Sequence, residues 1–279
     1  MPRKRKIRVE RRIKIISLCI LGVLLPQLIY SQVVNIEKER KQIKPGFQGQ
    51  IYFGGNFTQN TKQILQVDFG GDVQYTWKSN TVIWLNDVSL LKYFSSNTQT
   101  DLINKNFEHI RYNYTFRDSS FLTYEAFFQR QQNRLRYIKM RLLYGTGFRF
   151  RIIKTKTFRF FVAPLVMHEY EQMSDSLHTV ERMLRGDFYI SAWFKLAKNL
   201  SLVHVTYYQP AIIDLGSSRQ FKPWRDYRIA SETDLSFSLI SNKLSLSWVL
   251  DLNYDSYRPA ELNNYPLFYS FSSKISYKF

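Results

Sequence analysis

The chain has 279 residues, 40 basic against 22 acidic side chains and a formal net charge of +18, with abundant Phe and Tyr but one cysteine, Cys19. A lone cysteine near the N-terminus excludes a disulfide framework and leaves the rest of the chain without a thiolate nucleophile or metal ligand. The length suits one large β domain, and beyond the N-terminal run no segment approaches the ~18 consecutive apolar residues of a spanning helix.

In chain order, a basic head comes first (Arg3, Lys4, Arg5, Lys6, Arg8, Arg11, Arg12, Lys14). An apolar run over 15–29 follows, broken by Ser17, Gly22, Pro26 and Gln27, and then a small residue at Ser31-Gln32. This three-part plan predicts a secretory signal peptide over 1–31. The run falls short of the ~20 residues that a membrane-spanning helix needs, so a retained anchor is the weaker reading. Lipidation at Cys19 is disfavoured, because Leu18 stands where a small residue is wanted and the apolar run continues past the cysteine. The head takes seven positive charges with it and leaves +11. For an exported chain the expected anionic partner is membrane phosphate, with no nucleic acid. Residues 32–46 are charged (Glu37, Lys38, Glu39, Arg40, Lys41) and end at Pro45-Gly46, which predicts a short lead-in.

From Phe47 onward apolar and polar residues alternate with period two, the mark of β-strands. Twelve segments are predicted: 47–57, 63–77, 81–92, 107–116, 121–130, 140–153, 158–170, 186–196, 201–213, 228–240, 243–255 and 267–279. In the eleventh, Leu244, Leu246, Trp248, Leu250 and Leu252 interleave with Ser245, Ser247, Asp251 and Asn253. The phase over 81–92 is blurred. Tight turns at 78–80, 117–120, 154–157, 197–199 and 241–242 alternate with longer connections at 93–106, 131–139, 171–185, 214–227 and 256–266. Short turns on one side and longer loops on the other are the habit of membrane barrels.

Alternation alone does not say which face is outermost. Twelve strands enclose more space than side chains readily fill dry, so the interior must be wet or polar and the apolar face must meet lipid. Closure also removes every unpaired edge, as hydrocarbon demands. The predicted fold is an all-β, up-and-down antiparallel transmembrane β-barrel of about 12 strands, occupying 47–279, with 32–46 as a periplasmic lead-in.

The last segment places Leu267, Tyr269, Phe271, Ile275, Tyr277 and Phe279 on one face. It looks like the closing strand of an outer-membrane barrel, whose aromatic end, here Tyr277 and Phe279, serves the barrel-assembly machinery. With the Gly- and Phe-rich first hairpin (Gly49, Gly54, Gly55, Asn56, then Asp68, Gly70, Gly71) and the ending Ser276-Tyr277-Lys278-Phe279, the chain resembles the salt-induced outer-membrane protein family. That is a domain-of-unknown-function family of Gram-negative bacteria, and the cut before Gln32 resembles signal peptides of the Bacteroidetes group. The resemblance implies outer-membrane location and carries over no functional residues.

Chemistry is sparse. Outer-membrane lipid hydrolases of twelve strands resemble serine hydrolases, with His and Ser two apart on an outward face. Of His109, His168, His178 and His204, none has Ser two residues later; His204 has Thr206. Glu169 and Glu171 could share a face near an external loop with Asp175 and hold calcium weakly, but solvated loop charge is the default. No cofactor, metal site or catalytic residue is predicted.

Two sets remain. The strand phases place Asp68, Glu125, Arg149, Arg151, Lys195, Glu232, Asp234, Asp251 and Lys274 toward the lumen, to pair across it or to line a narrow aqueous path; with both signs present, no strong ion selectivity is expected. Arg134, Arg136, Arg219, Lys222 and Arg225 lie in long loops with Arg130, Lys139 and Arg228 nearby, and are expected either to face lipopolysaccharide phosphates or to form a generic solvated rim. The reading is a non-enzymatic outer-membrane barrel, a narrow passive channel or an envelope-structural protein. The alternatives are an outer-membrane lipid hydrolase and a soluble secreted ligand-binding β-barrel.

Overall fold

A computed structural model describes residues 45–59, 63–94, 102–116, 121–220, 222–239, 243–257 and 267–279. The predicted signal peptide and nearly all of the lead-in lie outside these residues. Twelve strands run in chain order: β1 (Gly46–Gln59), β2 (Gln63–Trp77), β3 (Asn80–Phe94), β4 (Leu102–Thr115), β5 (Leu122–Asn133), β6 (Ile138–Lys154), β7 (Phe158–Met173), β8 (Val180–Ala197), β9 (Leu200–Asp214), β10 (Tyr227–Ser238), β11 (Leu244–Asp255) and β12 (Leu267–Lys278). A single turn of 3-10 helix, Arg134–Arg136, joins β5 to β6. Each strand pairs antiparallel with its chain neighbours, and β1 pairs with β12, so the sheet closes into a barrel.

The period-two pattern decides which side of the sheet each residue occupies. On β11 Ser245, Ser247, Asp251 and Asn253 are buried inside, while Leu250 faces out. Phe53, Phe69 and Ile275 are 60%, 57% and 54% exposed on the outer surface. A belt of exposed aromatic and aliphatic side chains on this scale would cost ~25 cal/mol per Å² in water and costs nothing against acyl chains. The barrel is therefore a transmembrane one, apolar outside. Its seam is short but reinforced: five residue pairs run from Gln50↔Lys278 to Gly54↔Lys274. Beyond them, Phe279 N–H donates to Gly49 O (3.1 Å) and Gly49 N–H donates to Phe279 O (3.3 Å). The Phe279 ring lies on Gly49, where any Cβ would collide with it.

Strands on one side of the ring run longer than sequence alternation indicates. β6, β7 and β8 have 17, 16 and 18 residues against 12 each in β10, β11 and β12. About 9–11 residues suffice to cross a bilayer. All register shifts among the described ladders also fall on this side, at Gln131/Asn133, Ile138/Met140, Arg151/Ile153, Leu184/Arg185 and Lys195/Ala197. A bulge breaks the two-residue period and re-aims the side chains that follow.

Candidate functional site

The bore has two unlike walls. Along β10–β12, β1 and β2 the inward side chains are mostly hydroxyls, amides and carboxylates, among them Gln50, Gln66, Asp68, Ser247 and Ser270, all buried. Along β5–β9 the inward residues include an apolar cluster, Phe127, Leu143, Ala163, Leu165, Met167, Tyr189, Val205 and Tyr207, completed by Ala230 of β10, beside buried charges such as Glu125, Glu169 and Arg185.

The residues predicted to line the lumen sit as follows. Asp68 accepts from Gln66 Nε2 (2.7 Å) and Ser89 Oγ (2.5 Å). Glu125, fully buried, accepts from Arg111 Nη1 and from Tyr189 Oη, both at 2.8 Å, with Arg149 Nε at 4.0 Å. Arg149 also stacks on the Phe161 ring at 3.5 Å, and Arg151 is half-buried two residues further along the same strand. Asp234 accepts from Ser236, and Asp251 accepts from Ser270 Oγ (3.1 Å). Lys274 lies over the Tyr52 ring, among the charges of Asp87, Glu232, Asp68 and Asp251. Lys195 is exposed at the turn end of β8.

A larger constellation, mostly missed by the sequence reading, fills the loop end of the bore. Arg228 donates from Nε to Asp255 (2.6 Å), from Nη2 to Glu171 (2.9 Å) and Glu181 (3.4 Å), and from Nη1 to Glu169. Arg141 Nε donates to Glu171 (2.6 Å). Arg185 bonds Glu169 and reaches Glu181 at 3.4 Å. Arg219 donates to Glu181 and Asp226, each at 2.6 Å, and lies 3.6 Å over the Tyr257 ring. Arg136 completes the lattice, with Nη2 3.9 Å from Asp255 and its guanidinium 5.5 Å over the Phe268 ring. Five guanidiniums thus meet five carboxylates, so nearly every buried charge is paired, as burial requires.

The Arg136 contacts cross the barrel. Arg136 stands between β5 and β6, whereas Asp255 and Phe268 belong to β11 and β12, on the opposite side of the ring. Tyr137, left-handed at φ 57°, ends the helical turn, and Ser174 N–H donates to its carbonyl (2.7 Å), tying that connection to the end of β7. Beneath the lattice lies a cavity of about 70 Å³ bordered by His109, Gln131, Asp187 and Gln209. Two of these arginines stand outside the strands. Burial and neighbouring Arg141 push Arg136 down to about 10. Burial also works against the Arg219 charge, but Glu181 and Asp226 outweigh it and raise that group.

These positions correct several expectations. Arg136 and Arg219 bond the protein's own carboxylates and do not face outward, because the first is 8% exposed and the second is clamped by two ion pairs. Arg228, grouped with loop cations by the sequence reading, is the hub of the lattice. Arg134, Lys222 and Arg225 are exposed at the loop end. Glu169 and Glu171 are inside the bore under arginines, and Asp175 accepts from Thr179 N–H and Oγ1 (2.8 and 2.6 Å). Among the described residues no group of three or more His, Cys, Asp and Glu is placed to hold a metal ion. His204 faces outward between buried Val203 and Val205; its ring nitrogens meet Thr233 Oγ1 (2.9 Å) and Thr206 Oγ1 (3.0 Å).

The barrel is similar to an outer-membrane channel from Pseudomonas putida F1, with 8% identity and a TM-score of 0.51 over 85% of this chain and 97% of that one. It is also similar to the translocator domain of the autotransporter NalP from Neisseria meningitidis (7%, TM-score 0.48, 88% and 91%) and to the NanC porin (10%, TM-score 0.46, 82% and 98%). At 8% identity the likeness to the Pseudomonas putida channel speaks for the fold alone, that of an outer-membrane barrel. No curated protein matches the chain in sequence. Residues 51–277, nearly the whole barrel, match the family described as protein of unknown function, DUF481, and the chain belongs to that family.

Proposed function

We propose that this protein is a non-enzymatic barrel of the cell outer membrane that works as a narrow passive channel, exported by a signal peptide over 1–31 that is then removed. The observation that carries the reading is the polar wall inside an apolar-coated barrel. Gln66 Oε1 is buried on that wall without a protein partner, as are Asn133 Oδ1 of β5 and Ser191 Oγ of β8 on the other side of the bore. Leaving such groups dry costs roughly 2–7 kcal/mol each, so the bore holds water. Asp68, Glu125, Arg149, Arg151, Glu232, Asp234, Asp251 and Lys274 line that path, with Lys195 at its turn end. The apolar cluster and the loop-end lattice narrow it to small solutes.

Short turns face the periplasm and long connections face outward. Exposed Arg134, Lys222 and Arg225 then sit where lipopolysaccharide phosphates lie, and Tyr277 and Phe279 on the seam strand are read by the barrel-assembly machinery. The lipid-hydrolase reading is weaker, because the partners of His204 are two threonines and no carboxylate or amide orients the ring. An envelope-structural role draws support from the contact of Arg136 across the bore.

Planar-bilayer recording with the purified protein tests the channel. Discrete conductance steps are expected, with liposome swelling restricted to the smallest sugars. Absence of any step would remove the channel and leave the structural role.

A further inference from the structure

At the turn end, the wall of β6–β9 is hollowed into a second cavity, of about 370 Å³. That is far above the ~10–15 Å³ that holds one water molecule. Its lining includes Lys154, Lys156, Arg159, Lys195 and Lys198 beside Trp193 and, among the described residues, no carboxylate.

Two features show that this concentration of positive charge is built rather than incidental. The first is the bulge in β6. Arg151 pairs with Phe161, Ile153 with Phe160 and Lys154 with Arg159, so Ile152 is the extra residue. Without it the period-two rule would send Lys154 to the lipid side; with it Lys154 joins Arg149 and Arg151 on the inner wall. The second is the resulting pair. Lys154 stands directly across from Arg159, and like charges opposite one another on a sheet are destabilising. Arg159 in turn lies 3.9 Å over the Trp193 ring, which fixes its guanidinium at the cavity wall. A second bulge, at Lys195/Ala197, flanks the same cavity from β8. A fold that spends ladder hydrogen bonds to gather Lys154 and Lys195 with three further cations, around a space where no described residue supplies a carboxylate, has made a place for an opposite charge.

We propose that this cavity is a binding site for small multivalent anions carrying phosphate or carboxylate groups, held by Lys154, Arg159 and Lys195 at the periplasmic mouth. The proposal deepens the channel reading by naming the solute class, and it rests on that reading only for the route taken, not for binding. The same chemistry fits a soluble polyanion and an anionic phospholipid headgroup from the adjoining leaflet.

The test is calorimetric titration of tripolyphosphate into the full chain in uncharged detergent. The wild type is expected to bind, and Lys154→Gln with Lys195→Gln to weaken binding by roughly tenfold or more, as charge-assisted contacts are lost. Arg134→Gln with Arg225→Gln, at the far end, should bind as the wild type does. No binding, or equal weakening in both double variants, would overturn the site. Repeating the titration in nanodiscs of phosphatidylcholine and of phosphatidylglycerol separates the sources. Weaker affinity in the anionic discs at matched ionic strength identifies a headgroup as the resident anion, and equal affinity identifies a soluble one. Binding without conductance refutes the channel alone, and conductance without binding refutes the site alone.

Discussion

The two walls of the barrel solve one problem in opposite ways. On the side of β10–β12, β1 and β2, unbroken ladders point small polar side chains into the bore. On the side of β5–β9, the middle strands β6, β7 and β8 are the longer ones, every register shift among the described ladders occurs, and the interior is packed with aromatics, methionines and arginine–carboxylate pairs. A soluble protein would pack its whole interior. Here half a core is pressed against a wall of polar side chains. Stability should accordingly be concentrated in one wall and permeation in the other.

The largest effect is expected from Arg228→Leu. It leaves Glu169, Glu171, Glu181 and Asp255 without their shared cation, and breaking a buried ion pair costs about 3–5 kcal/mol. Urea titration of folding into lipid vesicles would register it; wild-type stability in this variant would mean that the lattice is not holding the packed wall. Ser270→Ala on the hydrated wall removes one hydrogen bond to Asp251 and should cost only about 0.5–1.5 kcal/mol by the same measurement, because water replaces the lost partner. If the two losses were equal, the distinction between the walls would fail. Reversing Arg134 and Arg225 to Glu should leave stability within about 0.5 kcal/mol, as exposed substitutions do. The same change should lower lipopolysaccharide retention after detergent extraction, and unchanged retention would count against contact with the outer leaflet.

The difference between the walls also explains what could be read in advance. Alternation in residues such as Leu250, Asp251, Leu252 and Asn253 is unambiguous because inside and outside differ in chemistry, so strand number, pairing order and the faces of β11 and β12 followed from sequence. In the packed wall both faces carry apolar residues and bulges reset the phase, so the period weakens. Arg141 keeps the two-residue phase of Leu143, Arg149 and Arg151 and was legible as a bore residue; the bulge at Ile138/Met140 re-aims only Ile138 before it. Arg185 and Glu181 fell in a supposed loop, although the alternation Glu181, Met183, Arg185, Asp187 continues that of β8 and could have extended the strand to Val180. Glu169 and Glu171 were seen as a pair but assigned to solvent, because nothing local to them reveals that arginines of β6, β8 and β10 converge on the same point. Lattices assembled from distant strands leave no spacing signature.

The contact of Arg136 with Asp255 and Phe268 has a mechanical consequence. A thin-walled tube under the sideways squeeze of a bilayer deforms most readily by flattening into an ellipse, which its hoop of hydrogen bonds resists poorly. A guanidinium anchored on one rim and seated on the far one acts as a spoke, holding that end of the cylinder round as the membrane around it thickens, thins or bends.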